Sequence, residues 1–196
     1  MMTDEYRTIT DKIGEGYFSE KRSKFLAFAH HVTSEQMVKD IIAEYRKKYF
    51  DARHCCYAYT LGPEREHYRQ NDDGEPSSTA GKPIMGQILS NDLTDILIVV
   101  VRYYGGVNLG TSGLIEAYRT AAAEAIKDSE IALRQVEETV KFDFTYPMMN
   151  GVMRIVKEMN PRIVSRDFNT TCSITLAIRK SKADELRSRL DKLAFQ

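Results

Sequence analysis

Residues 54 to 75 hold side chains that could carry out acid, base or metal chemistry. His54 is a candidate base, and Asp72, Asp73 and Glu75 offer carboxylates close together in the sequence. Carboxylate oxygens suit a hard cation such as Mg²⁺, so this group could serve a small metal-assisted hydrolase. The alternative is structural, because Asp-Asp-Gly is typical of a turn with amide-bonded carboxylates, and His54 would then close a hydrogen bond at a strand start. The sequence leaves both interpretations open.

The chain has three cysteines, Cys55, Cys56 and Cys172, and they form no known reactive motif. Adjacent residues of a strand point to opposite faces, so Cys55 and Cys56 cannot easily bind one metal ion or bridge each other. An odd set of cysteines without paired spacing indicates reduced thiols in a cytosolic protein. The sequence also lacks a nucleophile elbow and a zincin helix. We therefore expect no catalytic residue, no bound metal and no cofactor.

A glycine-rich loop joins an apolar run to an alanine-rich segment. Its glycines permit positive φ and close backbone approach; they are Gly105, Gly106, Gly110 and Gly113. We expect Thr111 or Ser112 to cap the following helix, whose first amides could hold an anion. The spacing matches neither the dinucleotide fingerprint nor the phosphate-binding loop of nucleotide hydrolases. The loop could equally serve only to reverse the chain sharply.

Charged and aromatic side chains suggest a second kind of chemistry, contact with nucleic acid. The chain has 28 Lys and Arg against 28 Asp and Glu, which excludes a strongly basic protein. Two local basic runs could still contact phosphate or be solvated surface: Lys21, Arg22 and Lys24 with Arg46, Lys47 and Lys48, and separately Arg179, Lys180, Lys182, Arg187 and Arg189. Beside Arg102, Tyr103 and Tyr104 offer stacking surface, and strand alternation predicts that only one of them faces solvent.

Several elements must position these residues. The segment 96–101 is apolar throughout, which predicts a strand covered on both faces and followed by a helix with a stripe of small residues. Upstream, residues 17–32 read as strand interrupted by basic residues, and Thr33 with Gln36 predicts a capping box before a helix. A strand over 56–61 and a short helix around 85–89 are also expected. The prolines and glycines between residues 62 and 83 predict irregular structure.

The last third of the chain has its own pattern. Apolar residues alternate from 140 to 146, a helix follows Pro147, strands are expected over 162–168 and 172–178, and a helix begins near Ser181. The order βαββα fits a ferredoxin-like module without its last strand. We therefore predict an α+β protein with domains 1–135 and 136–196.

Composition supports a soluble protein. With 196 residues, of which 42% are apolar and 29% charged, the chain can bury one good core or two small ones. No apolar run is long enough to cross a membrane, and the first eleven residues lack a secretion-signal layout. We expect a cytoplasmic protein with no membrane partner. The sequence does not indicate the oligomeric state.

The motifs together resemble those of the YigZ/Impact family. The resemblance covers most of residues 17 to 127 and rests on these blocks: Lys21 to Phe25, Ala52-Arg53-His54, Ala58-Tyr59, Asp72 to Pro76, Thr79-Ala80-Gly81, Pro83-Ile84, Val100 to Gly106, Leu109-Gly110, Gly113-Leu114 and Ala117-Tyr118. Two positions depart from the family pattern, since Ser78 stands where glycine is usual and Met85 where leucine is usual.

The resemblance implies a fold and a function. It implies an N-terminal left-handed βαβ domain like domain four of elongation factor G, and a C-terminal domain like the last domain of that factor. Eukaryotic relatives with a similar front domain act as translational regulators through a protein partner. By this analogy we expect a non-enzymatic protein that binds nucleic acid or the ribosome and regulates translation. The alternatives are the hydrolase based on His54, Asp72, Asp73 and Glu75, or a protein-binding adaptor for a translation-associated protein.

The expected binding surface combines the 72–83 loop with His54, Arg102 and the glycine loop. Its predicted members are His54, Asp73, Glu75, Thr79, Lys82, Arg102, Tyr103, Gly105, Gly106, Gly110, Ser112 and Gly113. If Arg102 faces a partner, replacing it with alanine should weaken binding without unfolding the protein.

Overall fold

The computed structural model describes residues 4–169 and 171–194. This part of the chain divides into two compact units, one formed by Tyr6–Arg134 and the other by the residues from Gln135 onward together with Asp4 and Glu5. Both units combine helices with antiparallel strands, so the predicted two-domain α+β fold class is confirmed. No helix of the described residues is long and apolar enough to cross a membrane.

The front unit is built on a five-stranded antiparallel sheet in the order β2-β3-β6-β4-β5. A separate pair, β1 and β7, forms a two-stranded sheet. The elements in chain order are β1 Glu5–Ile9, β2 Gly14–Glu20, β3 Ser23–His31, α1 Glu35–Lys48, β4 His54–Leu61, β5 His67–Asn71, α2 Gly81–Ser90, β6 Ile96–Tyr103, α3 Gly110–Asp128 and β7 Ile131–Gln135.

Strand β6 is the centre of the front unit. Its residues 96 to 102 are buried, as the absence of polar alternation predicts. Alternate side chains enter two different cores. Ile98 and Val100 pack in the core beneath α2 and α3, whereas Val99 and Val101 pack in the core beneath α1. The sheet is therefore the middle layer between one helix and two helices.

The interrupted strand expected over residues 17–32 is a hairpin. β2 and β3 pair in register from Gly14 opposite Ala29 to Glu20 opposite Ser23. Lys21 and Arg22 form the two-residue turn with φ of 46° and 65°, and positive φ at both central positions matches the twist of paired strands. The basic residues therefore lie at the tip of a hairpin.

Three local expectations were wrong. Ser34, and not Thr33, caps α1, because its Oγ accepts the hydrogen bond from the amide of Met37 at 3.2 Å. Helix α3 has Leu109 at its cap position and no side-chain cap bond, so neither Thr111 nor Ser112 caps it. The segment between residues 62 and 83 is not irregular throughout, since it contains β5, an edge strand whose side chains are exposed or half-exposed.

The second unit has the predicted βαββα order. Its elements are β8 Glu137–Phe144, a 3-10 turn Tyr146–Met148, α4 Met149–Met159, β9 Arg162–Phe168, β10 Cys172–Arg179, a 3-10 turn Lys180–Lys182 and α5 Ala183–Ala194. The sheet is antiparallel in the order β8-β10-β9. Ile174 and Leu176 of β10 pack with Val152 of α4 and Leu186 of α5 in one buried core.

Two glycines of the front unit should respond oppositely to substitution with alanine. A Cβ at Gly16 would lie 2.4 Å from the carbonyl oxygen of Ala121 and 2.5 Å from the amide of Ala125, because β2 packs directly on the α3 backbone. Gly16→Ala should lower the free energy of unfolding by about 1–3 kcal/mol. A Cβ at Gly86, within α2, would meet no atom within 4 Å, so Gly86→Ala should raise it by about 0.5–1 kcal/mol. Urea unfolding measures the free energy of unfolding of both variants. Equal free energies for the two variants would contradict the packing described.

Candidate functional site

The predicted binding residues lie at one end of the five-stranded sheet. β6 ends there, as its residue Tyr103 pairs with Lys24 at the start of β3, and Arg102 pairs with His54 at the start of β4. The 72–80 loop follows β5 at the same end, and α2 and α3 both begin there. We call this region, made of residues 21–24, residues 50–54, the 72–80 loop and residues 102–113, the loop end.

The predicted binding residues form three sets, which are buried, partly exposed and exposed. Glu75, Thr79 and Arg102 are buried, and His54, Asp73, Tyr103, Gly105 and Gly113 are partly exposed. Lys82, Gly106, Gly110 and Ser112 are exposed. The predicted residues are thus neighbours in the fold, but only the last two sets present surface to a partner.

A buried ion pair holds the loop end together. Arg102 Nη1 donates to Glu75 Oε1 at 2.6 Å, and the two side chains are only 5% and 3% exposed. The Tyr118 hydroxyl donates to the same oxygen at 2.7 Å. His54 Nε2 lies 3.7 Å from Glu75 Oε2. The carboxylate of Glu75 therefore joins the 72–80 loop to β6, α3 and β4.

The position of Arg102 corrects the expectation that it faces a partner. Its guanidinium carbon lies 5.4 Å from the ring centre of Phe25 and 5.5 Å from that of Tyr104. Nη2 reaches Ser23 Oγ at 3.4 Å, and the buried Nε has no hydrogen-bond partner among the described residues. A positive charge in this position is neutralised by Glu75 and shielded by two rings, so Arg102 organises the surface from within.

Asp72 fixes the 72–80 loop to the start of α2. Its Oδ1 accepts hydrogen bonds from the amides of Ala80 at 3.1 Å and Gly81 at 2.8 Å, and its Oδ2 accepts one from Ser78 at 2.9 Å. Ala80, at the cap position, has no side-chain oxygen, so Asp72 supplies the acceptor from outside the helix. The structural interpretation of this carboxylate is confirmed.

Asp73 is engaged in the same way. Its Oδ2 accepts from the amide of Cys55 at 2.7 Å, and its Oδ1 pairs with Arg46 at 3.0 Å. Nδ1 of His54 donates to the Asp73 carbonyl at 2.8 Å, which is the strand-start hydrogen bond expected from the sequence. The described residues include no group of three or more His, Cys, Asp or Glu side chains arranged to hold a metal ion. The carboxylates on which the hydrolase interpretation rests, Asp72, Asp73 and Glu75, are thus each bound to amides or cations.

The cysteines are buried free thiols. Cys55 and Cys56 enter the two different cores of the front unit, as their adjacency in a strand predicts. Burial raises the pKa of Cys55 to about 11, and burial also raises the pKa of Cys56 above its ordinary value. Neither thiol is ionised at neutral pH, so neither is a nucleophile there.

The exposed part of the loop end is basic and aromatic. Lys21 and Arg22 form the hairpin turn, Lys24 lies opposite Tyr103, and the amide of Arg53 donates to the Arg102 carbonyl at 2.9 Å. All four cationic side chains are exposed. Tyr104 is 52% exposed. We call Lys21, Arg22, Lys24, Arg53 and Tyr104 the basic-aromatic surface.

Arg53 and Tyr104 were not among the predicted binding residues. Tyr103 was chosen instead, but its hydroxyl donates to Asp51 at 2.8 Å and its ring packs partly against the core under α1. The alternation of β6 could have identified Tyr104, because it predicts that only one residue of the Tyr103-Tyr104 pair faces solvent. Once β6 is known to end at Tyr103, Tyr104 is the residue that leaves the sheet.

A cleft of about 650 Å³ lies between α2 and α3. It contains Thr79 and Lys82 of the predicted surface, whereas Ser112 and the loop glycines do not line it. Its lining residues are Ser77, Ser78, Thr79, Lys82, Pro83, Gly86, Gln87, Ser90, Thr111, Ile115 and Arg119. We call it the α2–α3 cleft. It offers hydroxyl groups and two cationic side chains but no carboxylate.

Replacement of Arg102 with alanine should destabilise the front unit. The substitution leaves the Glu75 carboxylate buried without its cation, so the free energy of unfolding should fall by about 3–5 kcal/mol. Adding Glu75→Gln to Arg102→Ala should recover part of this loss, because a neutral amide requires no cation. Urea unfolding of wild type, both single variants and the double variant measures the coupling. A single Arg102→Ala variant as stable as wild type would show that the ion pair contributes nothing.

The thiol of Cys55 should make stability depend on alkaline pH. Burial raises its pKa from 9.0 to about 11, so between these values the folded protein keeps a proton that the unfolded chain releases. The contribution of Cys55 is therefore complete below pH 9 and is lost as pH rises towards 11. Urea unfolding of wild type and Cys55→Ala from neutral to alkaline pH should show a steeper decline in wild type. Parallel pH profiles would argue against a buried neutral thiol.

Known proteins are similar to this chain in sequence and in fold. The model of the Impact N-terminal domain matches residues 21–126. IMPACT family member YigZ of Escherichia coli (strain K12) is 28% identical over 172 residues, covering 87% of this chain and 84% of that protein. The Thermus thermophilus "IMPACT family member in pol 5'region" is 43% identical over 137 residues, covering 70% of this chain and 73% of that protein. A crystal structure described as that of a hypothetical protein has a TM-score of 0.78 at 26% identity and covers 97% of this chain and 93% of its own. The chain belongs to the IMPACT family.

Proposed function

We propose that this protein binds RNA through the basic-aromatic surface and acts in the regulation of translation, with the ribosome or a translation-associated protein as its partner. The role proposed is binding without catalysis. It is a cytoplasmic role, in agreement with the reduced thiols.

The observation that carries the proposal is the convergence of exposed cations and an exposed ring at the loop end. Lys21, Arg22 and Lys24 come from the β2–β3 hairpin, and Arg53 comes from the start of β4. Two acidic neighbours are already engaged, since Asp51 accepts a hydrogen bond from Tyr103 and Asp73 pairs with Arg46. Cations of this kind bind phosphate, and an exposed tyrosine can stack on an unpaired base. This combination favours single-stranded or looped RNA over regular duplex.

The surface is held in place before any partner binds. The amide of Gly105 donates to Ser23 Oγ at 3.2 Å, and a Cβ at Gly105 would lie 2.2 Å from the backbone carbon of Arg22. The hairpin turn therefore touches the loop that follows β6. Arg102 lies under Tyr104 and is fixed by Glu75. A surface fixed in this way loses little conformational entropy on binding.

The link to translation rests on the family. The family resemblance implies that both domains are like modules of elongation factor G and that eukaryotic relatives of the front domain act as translational regulators. This support is an analogy from family and fold, whereas the RNA-binding part of the proposal rests on the residues of the loop end.

Removal of two charges from the basic-aromatic surface should weaken RNA binding. Lys24→Gln with Arg53→Gln removes two phosphate contacts, so the slope of log affinity against log salt should become shallower by about 1.4 for a single strand. The matched control is Lys12→Gln with Lys127→Gln, which removes two lysines from the opposite end of the sheet, where Lys12 pairs with Asp128. Fluorescence anisotropy with a labelled single-stranded RNA measures both variants. Ribosome co-sedimentation over a salt series then tests the larger partner.

The two double variants distinguish the proposal from its rivals. Equal loss of affinity in both would indicate general charge attraction and would contradict a defined surface. Partner capture that is insensitive to salt and to nuclease would instead identify a protein-binding adaptor.

A further inference from the structure

We propose that the α2–α3 cleft is a second binding site, for a phosphorylated ligand of mononucleotide size. The cleft is separate from the basic-aromatic surface, with which it shares no residue. The inference therefore does not depend on RNA binding by that surface.

The walls of the cleft come from matching faces of two helices. Lys82, Gly86 and Ser90 follow one another at four-residue spacing along α2, and Thr111, Ile115 and Arg119 do so along α3. Side chains four residues apart lie on one helix face, so both faces point into the same space. The 77–79 segment closes one end. A volume of about 650 Å³ lies within the range of small-ligand sites.

Lys82 provides a positive charge for binding the phosphate. It is exposed and makes no ion pair with any residue in the described part of the chain. It lies in the first turn of α2, which contains no acidic residue of its own, and the Asp72 carboxylate that caps this helix from outside is bound to backbone amides. An anion beside Lys82 would give this ammonium group the ionic partner that it lacks among the described residues. Arg119 adds a second cation, and although it contacts Glu116 at 2.8 Å, the guanidinium keeps further donors.

Hydroxyl groups line the same cleft as the two cations. Ser77, Ser78 and Thr111 line the cleft, and within the described residues their hydroxyls have no hydrogen-bond partner. A phosphate group has several oxygens directed away from one another, so donors on different walls suit it better than they suit a planar carboxylate. Ile115 and Pro83 supply apolar surface for the remainder of the ligand. Together these side chains match a phosphate attached to a partly apolar group.

Gly86 keeps the cleft open. Glycine within a helix lowers stability by roughly 0.5–1 kcal/mol relative to alanine and is usually explained by close packing. Here no packing explains it, because a Cβ at this position would meet nothing within 4 Å. A larger side chain at residue 86 would extend into the cleft, so glycine is the residue that leaves space for a ligand.

Calorimetric titration with the adenosine, guanosine, cytidine and uridine 5′-monophosphates tests the site. Wild type should bind at least one of them saturably, inorganic phosphate should compete, and the nucleosides without phosphate should bind at least about tenfold more weakly. Lys82→Gln should weaken binding about tenfold or more, and Gly86→Leu should abolish it by filling the cleft. Gly86→Ala is the control for the helix, since its methyl group leaves most of the space free. Lys127→Gln is the control for charge.

Two results would overturn the proposal. They are the absence of saturable binding of any nucleotide or of phosphate to wild type at ~10 mM, and wild-type affinity in a folded Gly86→Leu variant. Thermal unfolding establishes that the variant is folded, which its improved helix propensity favours.

A second titration identifies the source of the phosphate. If Gly86→Leu also loses affinity for single-stranded RNA, the cleft holds a phosphate of that strand; if RNA binding is kept while nucleotide binding is lost, the ligand is a free nucleotide. Both outcomes support the site. Loss of RNA binding in Lys24→Gln/Arg53→Gln tests only the basic-aromatic surface, so either proposal can fail without the other.

Discussion

The Glu75–Arg102 ion pair is the contact on which the loop end depends. A lone charge in this position would be expensive to bury, and each partner is tolerated only because the other lies 2.6 Å away and further donors complete the arrangement. Tyr118 contributes from α3 and His54 from β4. The 72–80 loop is thereby tied to the sheet and to α3, although it contains no regular structure itself. Net stabilisation by such a pair is modest; its larger effect is to allow one loop arrangement and to disfavour others.

Two consequences for binding follow from this arrangement. The exposed cations come from segments that are distant in the sequence, yet the backbone contacts at Gly105 and the ring of Tyr104 over Arg102 set their positions. Three carboxylates of the same region, those of Asp72, Asp73 and Glu75, bind amides or buried and flanking cations. The surface is therefore more positive than the composition of its segments suggests. A chain with no net charge can present a basic face in this way. Cationic and anionic residues that alternate in the sequence are placed by folding in different surroundings.

Burial patterns explain which parts of the fold could be predicted from the sequence. The apolar run of β6, the alternation of β8 and β10 and the opposed cysteines are determined by the period of the side chains, so they were predicted correctly. Strand β5 has no buried face to mark it and was missed. The cap of α1 was placed one residue early, because Thr33 and Ser34 are both good capping residues.

The grouping of His54, Glu75 and Arg102 was anticipated through the family motifs. The burial of Arg102 was not, because a single sequence does not show which acidic residue will neutralise an arginine. Which residues contact a partner remains a prediction.

The placement of Cys55 and Cys56 in different cores provides a means of following how the front unit opens. Each thiol is covered by a different helix layer, α1 for Cys55 and the α2–α3 pair for Cys56, although the two residues are neighbours in the chain. Local opening of one layer would expose one thiol while the other stayed protected. Labelling of single-cysteine versions with a thiol reagent in mild denaturant would then rank the two layers by the free energy of their opening. The adjacent pair therefore reports whether the helix layers on the two faces of the sheet open together or separately.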